Sequence, residues 1–104
     1  MAFMETTKSS ELVHEIVGGT PYDYYPLGEY IVVAPGVCGG RPTFKYTRLE
    51  VSQILTLLGA GYSVEWLVDQ YEESRLTQAA VQEAIRLAEE AFSLKAQSMY
   101  PLAV

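Results

Sequence analysis

A chain of 104 residues has room for one ordinary domain and not for two. Hydrophobic residues make up 49%, enough to bury a core, which excludes global disorder. Seven Lys and Arg against thirteen Asp and Glu give a net charge of −6, the wrong sign for indiscriminate attraction to nucleic acid or an anionic membrane. The single cysteine, Cys38, excludes an intrachain disulfide framework. Met1-Ala2-Phe3-Met4-Glu5 lacks the basic and apolar regions of a signal peptide. No window reaches the about 18 consecutive apolar residues of a membrane span. A soluble, cytoplasmic protein without membrane association is expected.

Along the chain, residues 1–9 read as frayed. Ser10 is placed to N-cap a short helix over 11–17, with Leu12, Val13, Ile16 and Val17 as its apolar stripe. Gly18-Gly19 reads as the C-terminal stop of that helix, with Pro21 soon after. Residues 18–29 form a loop rich in Gly, Pro and Tyr, whose aromatics suit a core edge better than base stacking. The β-branched run 30–33 and the run 43–46 read as the two strands of a hairpin or arm, joined through 37–42.

From Val51 the apolar period becomes helical. Val51, Ile54, Leu55, Leu57 and Leu58 predict a first core helix, stopped by Gly59-Ala60-Gly61. Thr47-x-x-Glu50 has the form of a capping box for it. Ser63 is the expected N-cap of a second helix carrying Val64, Leu67, Val68 and Tyr71, with Trp66 at the core or its edge. Thr77 is the expected N-cap of a long third helix running to about Gln97. Short connections and a glycine turn between the first two helices have the form of a helix-turn-helix unit.

Splitting the charge sharpens the functional reading. Residues 1–36 carry −4, residues 37–48 carry +3 from Arg41, Lys45 and Arg48, and residues 49–104 carry −5. The basic arm is a candidate anion or acidic-partner patch, whereas the acids of helix two, Glu65, Asp69, Glu72 and Glu73, read as a solvated face. On helix three, Ala80, Ala84, Leu87, Ala91 and Leu94 form one apolar stripe, and Val81, Ile85, Ala88 and Phe92 form another beside it. One stripe is enough for one core, so the first is a candidate dimer or partner face, and a homodimer is the expected assembly.

Catalytic and metal chemistry find little to build on. One His, His14, and one Cys cannot supply a His/Cys metal set. Cys38 lacks an evident base, and Gly39-Gly40-Arg41 is followed by neither the Lys-Ser/Thr pair nor the helix of a phosphate loop. No catalytic residue, metal site or cofactor is expected, and the protein is read as no enzyme.

The central residues resemble a known family. Tyr30-Ile31, Pro35, Val37-Cys38-Gly39-Gly40-Arg41-Pro42, Thr47-Arg48-Leu49, Val51, Ile54-Leu55, Leu57-Leu58, Gly61-x-Ser63-x-Glu65, Leu76-Thr77 and Val81-x-x-Ala84-Ile85 are similar in order and spacing to domain of unknown function 433, DUF433, over roughly residues 30–93. The resemblance implies a homeodomain-like helix-turn-helix fold with a short β-arm, in a small bacterial or archaeal protein. It also implies an antitoxin, paired in some relatives with a PIN-like ribonuclease toxin. Two departures stand out. The family commonly has Gly directly before Thr-Arg, where this chain has Tyr46, and the link Tyr71-Glu72-Glu73-Ser74-Arg75-Leu76-Thr77 is longer and lacks the family's Pro.

The expected fold is therefore mainly α. It is a homeodomain-like trihelical helix-turn-helix bundle with an N-terminal β-hairpin or arm and an extra N-terminal helix. Residues 1–29 form an extension, 30–97 a single domain and 98–104 a tail. The expected function is antitoxin-like and non-enzymatic, acting through protein–protein contacts. The alternative is a DNA-binding regulator using helix three and the arm, with candidate nucleic-acid or anion contacts at Arg41, Lys45, Arg48, Thr77, Gln78, Gln82 and Arg86. Against DNA stands the acidic charge of the helical half.

Overall fold

The structure, a computed structural model, describes residues 11–100. The expected cap at Ser10 and the segments 1–10 and 101–104 lie outside the described residues. The first half is a sheet. Strands β1 (Val13–Val17), β2 (Thr20–Pro26), β3 (Ile31–Val33) and β4 (Thr43–Phe44) form a four-stranded antiparallel meander in sequence order. Helices α1 (Val51–Gly59), α2 (Val64–Gln70) and α3 (Gln78–Met99) follow, and α3 packs on α1, α2 and β3.

This corrects the mainly α trihelical helix-turn-helix bundle. A sheet-plus-helix architecture replaces it, and the helix expected over 11–17 is strand β1. The cause is local. Gly18 and Gly19 have φ of 58° and 83°, the two left-handed residues of a two-residue hairpin turn, and Val17 pairs with Thr20 across it. β-branched Val13, Ile16 and Val17 prefer the pleated conformation that this turn offers. The strand then continues into the core through β2, whose Tyr25 and Pro26 pair with Val33 and Val32.

The short strand β3 serves two cores by alternation. Ile31 faces the helices with Phe44, Leu49, Ile54, Leu67, Leu76 and Val81. Val32 and Ala34 belong to a second cluster with Tyr24 and, at its edge, Val13, Tyr22 and Val37. The helices stand where their periodicity placed them. Ser63 Oγ accepts the Trp66 N–H at 3.0 Å, and Thr77 Oγ1 accepts the Ala80 N–H at 3.1 Å, as N-caps do. The capping box of α1 does not form. Glu50 is the N-cap residue without a side-chain cap bond, and Thr47 Oγ1 closes a local turn between the Phe44 carbonyl and the Leu49 N–H.

One carboxylate joins helix to sheet. Glu83 of α3 is 6% exposed and accepts the backbone N–H groups of Glu29 and Tyr30 at 2.8 and 2.7 Å. Those N–H groups lie in the β2–β3 turn, where Leu27 and Gly28 already donate to the Ile31 carbonyl. A Cβ on Gly28 would stand 2.6 Å from the carboxyl carbon of Glu83, so any larger residue there must displace the carboxylate.

Candidate functional site

The basic arm is divided between different partners. Arg41 forms a two-pronged pair with Glu50, Nε to Oε1 and Nη2 to Oε2, both at 3.0 Å. These hydrogen bonds hold the Glu50 carboxyl below its ordinary value and raise the guanidinium above its own. Lys45 lies over the rings of Tyr24 and Tyr46, 5.1 and 5.2 Å from their centroids. Its pKa is raised, first by the Tyr24 hydroxyl. Arg48 forms no ion pair among the described residues, and its carbonyl accepts the Cys38 thiol at 3.3 Å.

Around Lys45 a tyrosine cluster is organised by one acid. Glu15 of β1 accepts the Tyr24 hydroxyl at 2.6 Å and the Tyr46 hydroxyl at 2.8 Å. Tyr22 stacks at a tilt on both rings, and its hydroxyl oxygen accepts the Tyr46 backbone N–H at 2.8 Å. Tyr46 has φ 69°, a left-handed conformation that glycine adopts freely and tyrosine only under constraint. The Tyr24 hydroxyl, then that of Tyr46, holds Glu15 below its ordinary value, and the same bond raises the Tyr24 phenol.

An open cleft of about 970 Å³ lies beside this cluster, between β1, the β4–α1 loop and the α2–α3 link. It brings together Lys45, Arg48, Thr77 and Ala80 of the expected site residues and adds Arg75. Arg41, Gln78, Gln82 and Arg86 lie outside its lining. Glu15, Glu29 and Glu73 line it too, so its three cations face three acids. Arg75 is the contact that the sequence did not reveal. The link holds a 3-10 turn, Glu72–Ser74, and then Arg75 at φ 57°, which turns the chain so that Leu76 enters the core and Thr77 caps α3.

Of the remaining DNA candidates, Gln78 and Gln82 are exposed on α3, and Arg86 is drawn to Glu83 and Glu90 at 3.5 and 3.8 Å. The two apolar stripes of α3 are not divided between core and partner as expected. Ala80, Val81 and Ala84 of both stripes are buried in the chain's own core, and Leu87 packs against it. From Glu89 to Met99 every residue is exposed, including Ala91 and Leu94 of the expected face and Phe92 of the other. Phe92 is 74% exposed, Leu94 67% and Met99 54%. The free apolar surface is thus the distal part of the helix, about 16 Å long.

Cys38 sits half-buried in the 3-10 turn Cys38–Gly40, and His14 Nδ1 meets Asp23 across β1 and β2 at 2.9 Å. Among the described residues no cluster of three His, Cys, Asp or Glu is placed to hold a metal ion. Among them, too, no helix is long and apolar enough to cross a membrane.

A family model described as a protein of unknown function, DUF433, matches residues 31–88, more than half of the chain. No curated protein and no solved structure gives a significant match.

Proposed function

The chain belongs to the DUF433 family of proteins of unknown function, and from that premise we propose that it is a non-enzymatic interaction protein, antitoxin-like in acting by docking another protein. The carrying observation is the distal half of α3, where Phe92, Leu94 and Met99 stand in solvent on a helix that has left its own core. Burying such side chains is worth about 1.5–3 kcal/mol each. A helix of about three turns without tertiary cover is marginal in water. Both facts favour cover by another chain. In this reading a second copy covers the segment in the purified protein, and a PIN-like ribonuclease is the partner that the family resemblance implies.

The DNA-regulator reading has less support. Arg41 is matched by Glu50, Arg86 lies between Glu83 and Glu90, and the cleft beside α3 carries balanced charge. Little basic surface remains to offset the phosphates of a duplex.

The test is the mass in solution by light scattering, for the native chain and for Phe92→Asp and Leu94→Asp. A dimer that dissociates in both variants, with helix content kept by circular dichroism, supports the reading. A native chain that stays monomeric at high concentration and co-purifies no small nuclease from its host removes it.

A further inference from the structure

The outer side of α2 carries a second surface, unrelated to the distal half of α3. Leu67 is fully buried and Val64 and Val68 partly so, which turns Glu65, Trp66, Asp69 and Gln70 outward, all of them exposed. Trp66 is the only tryptophan, and it is not in the core. It is 39% exposed and stacks on Tyr62, itself 44% exposed, with ring centroids 4.3 Å apart and planes at 27°. The pair makes a flat aromatic platform open to solvent, at the residue types that most often anchor protein interfaces.

Along the chain, the charge around the platform has one sign. Glu65, Asp69, Glu72 and Glu73 fall within residues 62–74, a stretch with no Lys or Arg. None of the four forms an ion pair among the described residues. Four acids elsewhere are engaged: Glu15 by tyrosine hydroxyls, Asp23 by His14, Glu50 by Arg41, Glu83 by backbone N–H groups. Arg75 follows the stretch without pairing to it. Asp69 lies three residues after Trp66 on the helix, so their side chains are neighbours.

We propose that this face of α2 docks an arginine-rich segment of a protein partner, with Trp66 on Tyr62 as the stacking platform and Glu65 and Asp69 as counter-charges. A guanidinium satisfies both halves of the surface at once. Its plane lies on the indole, and its edge N–H groups reach carboxylates in pairs. An ammonium has no plane to stack. A nucleic acid meets the carboxylates of Glu65 and Asp69 and is repelled.

The sole tryptophan is its own reporter. The full chain is titrated with nona-arginine and with nona-lysine in low salt, following Trp66 emission and the anisotropy of a labelled peptide. The expected result is a saturable change in Trp66 emission, arginine binding at least about 3-fold tighter than lysine, and at least about 10-fold weakening when salt rises from about 50 to 300 mM. Trp66→Ala should lose the arginine preference in anisotropy. Glu65→Gln with Asp69→Asn should weaken binding about 5-fold or more, while Glu89→Gln with Glu90→Gln, an equal charge loss on α3, should leave it unchanged. An unaltered Trp66 emission at millimolar peptide overturns the proposal. So does equal weakening by the two double variants, which would mean attraction to net charge alone. Phe92→Asp, which tests the α3 surface, should bind the peptide as the native chain does, so the two surfaces fail or stand separately.

Discussion

Replacing Glu83 by alanine removes the carboxylate that ties α3 to the β2–β3 turn, and its cost can be worked from the geometry. Two backbone N–H groups, 2.8 and 2.7 Å away, lose a charged acceptor. Hydrogen bonds to charged groups contribute about 1.5–3 kcal/mol each. Tyr30 is half-buried and Glu29 exposed, so water restores part of the loss. A net cost of about 2–4 kcal/mol follows, or a fall in Tm of roughly 10–30 °C for a domain of this size. Glu83→Gln keeps one acceptor oxygen and should lose about half as much. The cause is isolated by Gly28→Ala. The added Cβ would lie 2.6 to 2.8 Å from the carboxylate atoms and force it away. Gly28 is not among the glycines of positive φ, so backbone strain does not enter. Gly28→Ala should therefore be costly in the native chain and nearly neutral in Glu83→Ala, a coupling of about 1–3 kcal/mol. Urea and thermal denaturation, read by circular dichroism and by Trp66 emission, measure all four corners of the cycle. A cost below about 1 kcal/mol for Glu83→Ala, or a Gly28→Ala cost equal in both backgrounds, would refute the clip.

Three further outcomes are expected. Thr43 is fully buried and its hydroxyl has no hydrogen-bond partner among the described residues, so Thr43→Val should leave stability unchanged or raise it by up to about 1 kcal/mol. A comparable loss on denaturation would reveal a partner for that hydroxyl. Glu15 is depressed below the ordinary 4.5 of a glutamate by the Tyr24 and Tyr46 hydroxyls, so its contribution is complete above that pH and is lost as pH falls through the lower folded value. Tyr24 and Lys45 are raised above 10.0 and 10.5, so their contributions are complete below those values and are lost as pH rises through the folded ones. Near-ultraviolet circular dichroism of the tyrosines should show both transitions, and Glu15→Gln should abolish the acid one; an unchanged acid midpoint would count against the cluster. Phe92→Asp and Leu94→Asp, on exposed positions, should alter monomer stability by about 0.5 kcal/mol or less while dispersing the dimer; unfolding of either variant would place these residues in a core of their own chain.

The helices were legible because their signals are local and redundant. Ser63 and Thr77 cap, Leu67 and Val81 point inward, and Gly61 turns the chain at φ 103°. The N-terminal hairpin was not, because Leu12, Val13, Ile16 and Val17 satisfy a helical stripe as well as a β-branched strand. Gly18-Gly19 serves equally as a helix stop or a two-residue turn, and the second strand, Thr20–Pro26, decides between them. A two-residue glycine turn flanked by β-branched residues was the signal that would have found it. The basic arm was visible as charge but not as chemistry. Arg41 finds Glu50 nine residues on, and Lys45 meets a cluster built on Glu15 thirty residues back, distances that spacing alone does not bridge. Glu83 is, in sequence, one more acid of the helical half, and its partners stand more than fifty residues away.

The N-terminal hairpin and the departure at Tyr46 are one structural feature. The family match begins at residue 31, so Glu15, Tyr22 and Tyr24 lie outside it. Tyr46 lies inside it, at a left-handed φ of 69° where the resemblance places glycine. A tyrosine there carries a backbone cost of order 1–3 kcal/mol that the surroundings must offset. The offset comes from the hairpin, through the Glu15 bond to the Tyr46 hydroxyl and the Tyr22 bond to its N–H. A glycine at this position would need no such support and would leave only the Tyr24 ring beneath the ammonium of Lys45. The hairpin and Tyr46 therefore depend on one another, and together they build the β1 wall of the cleft that Arg48 and Arg75 also line. The wall of the cleft in this chain is thus fixed in part by residues that lie outside the family match.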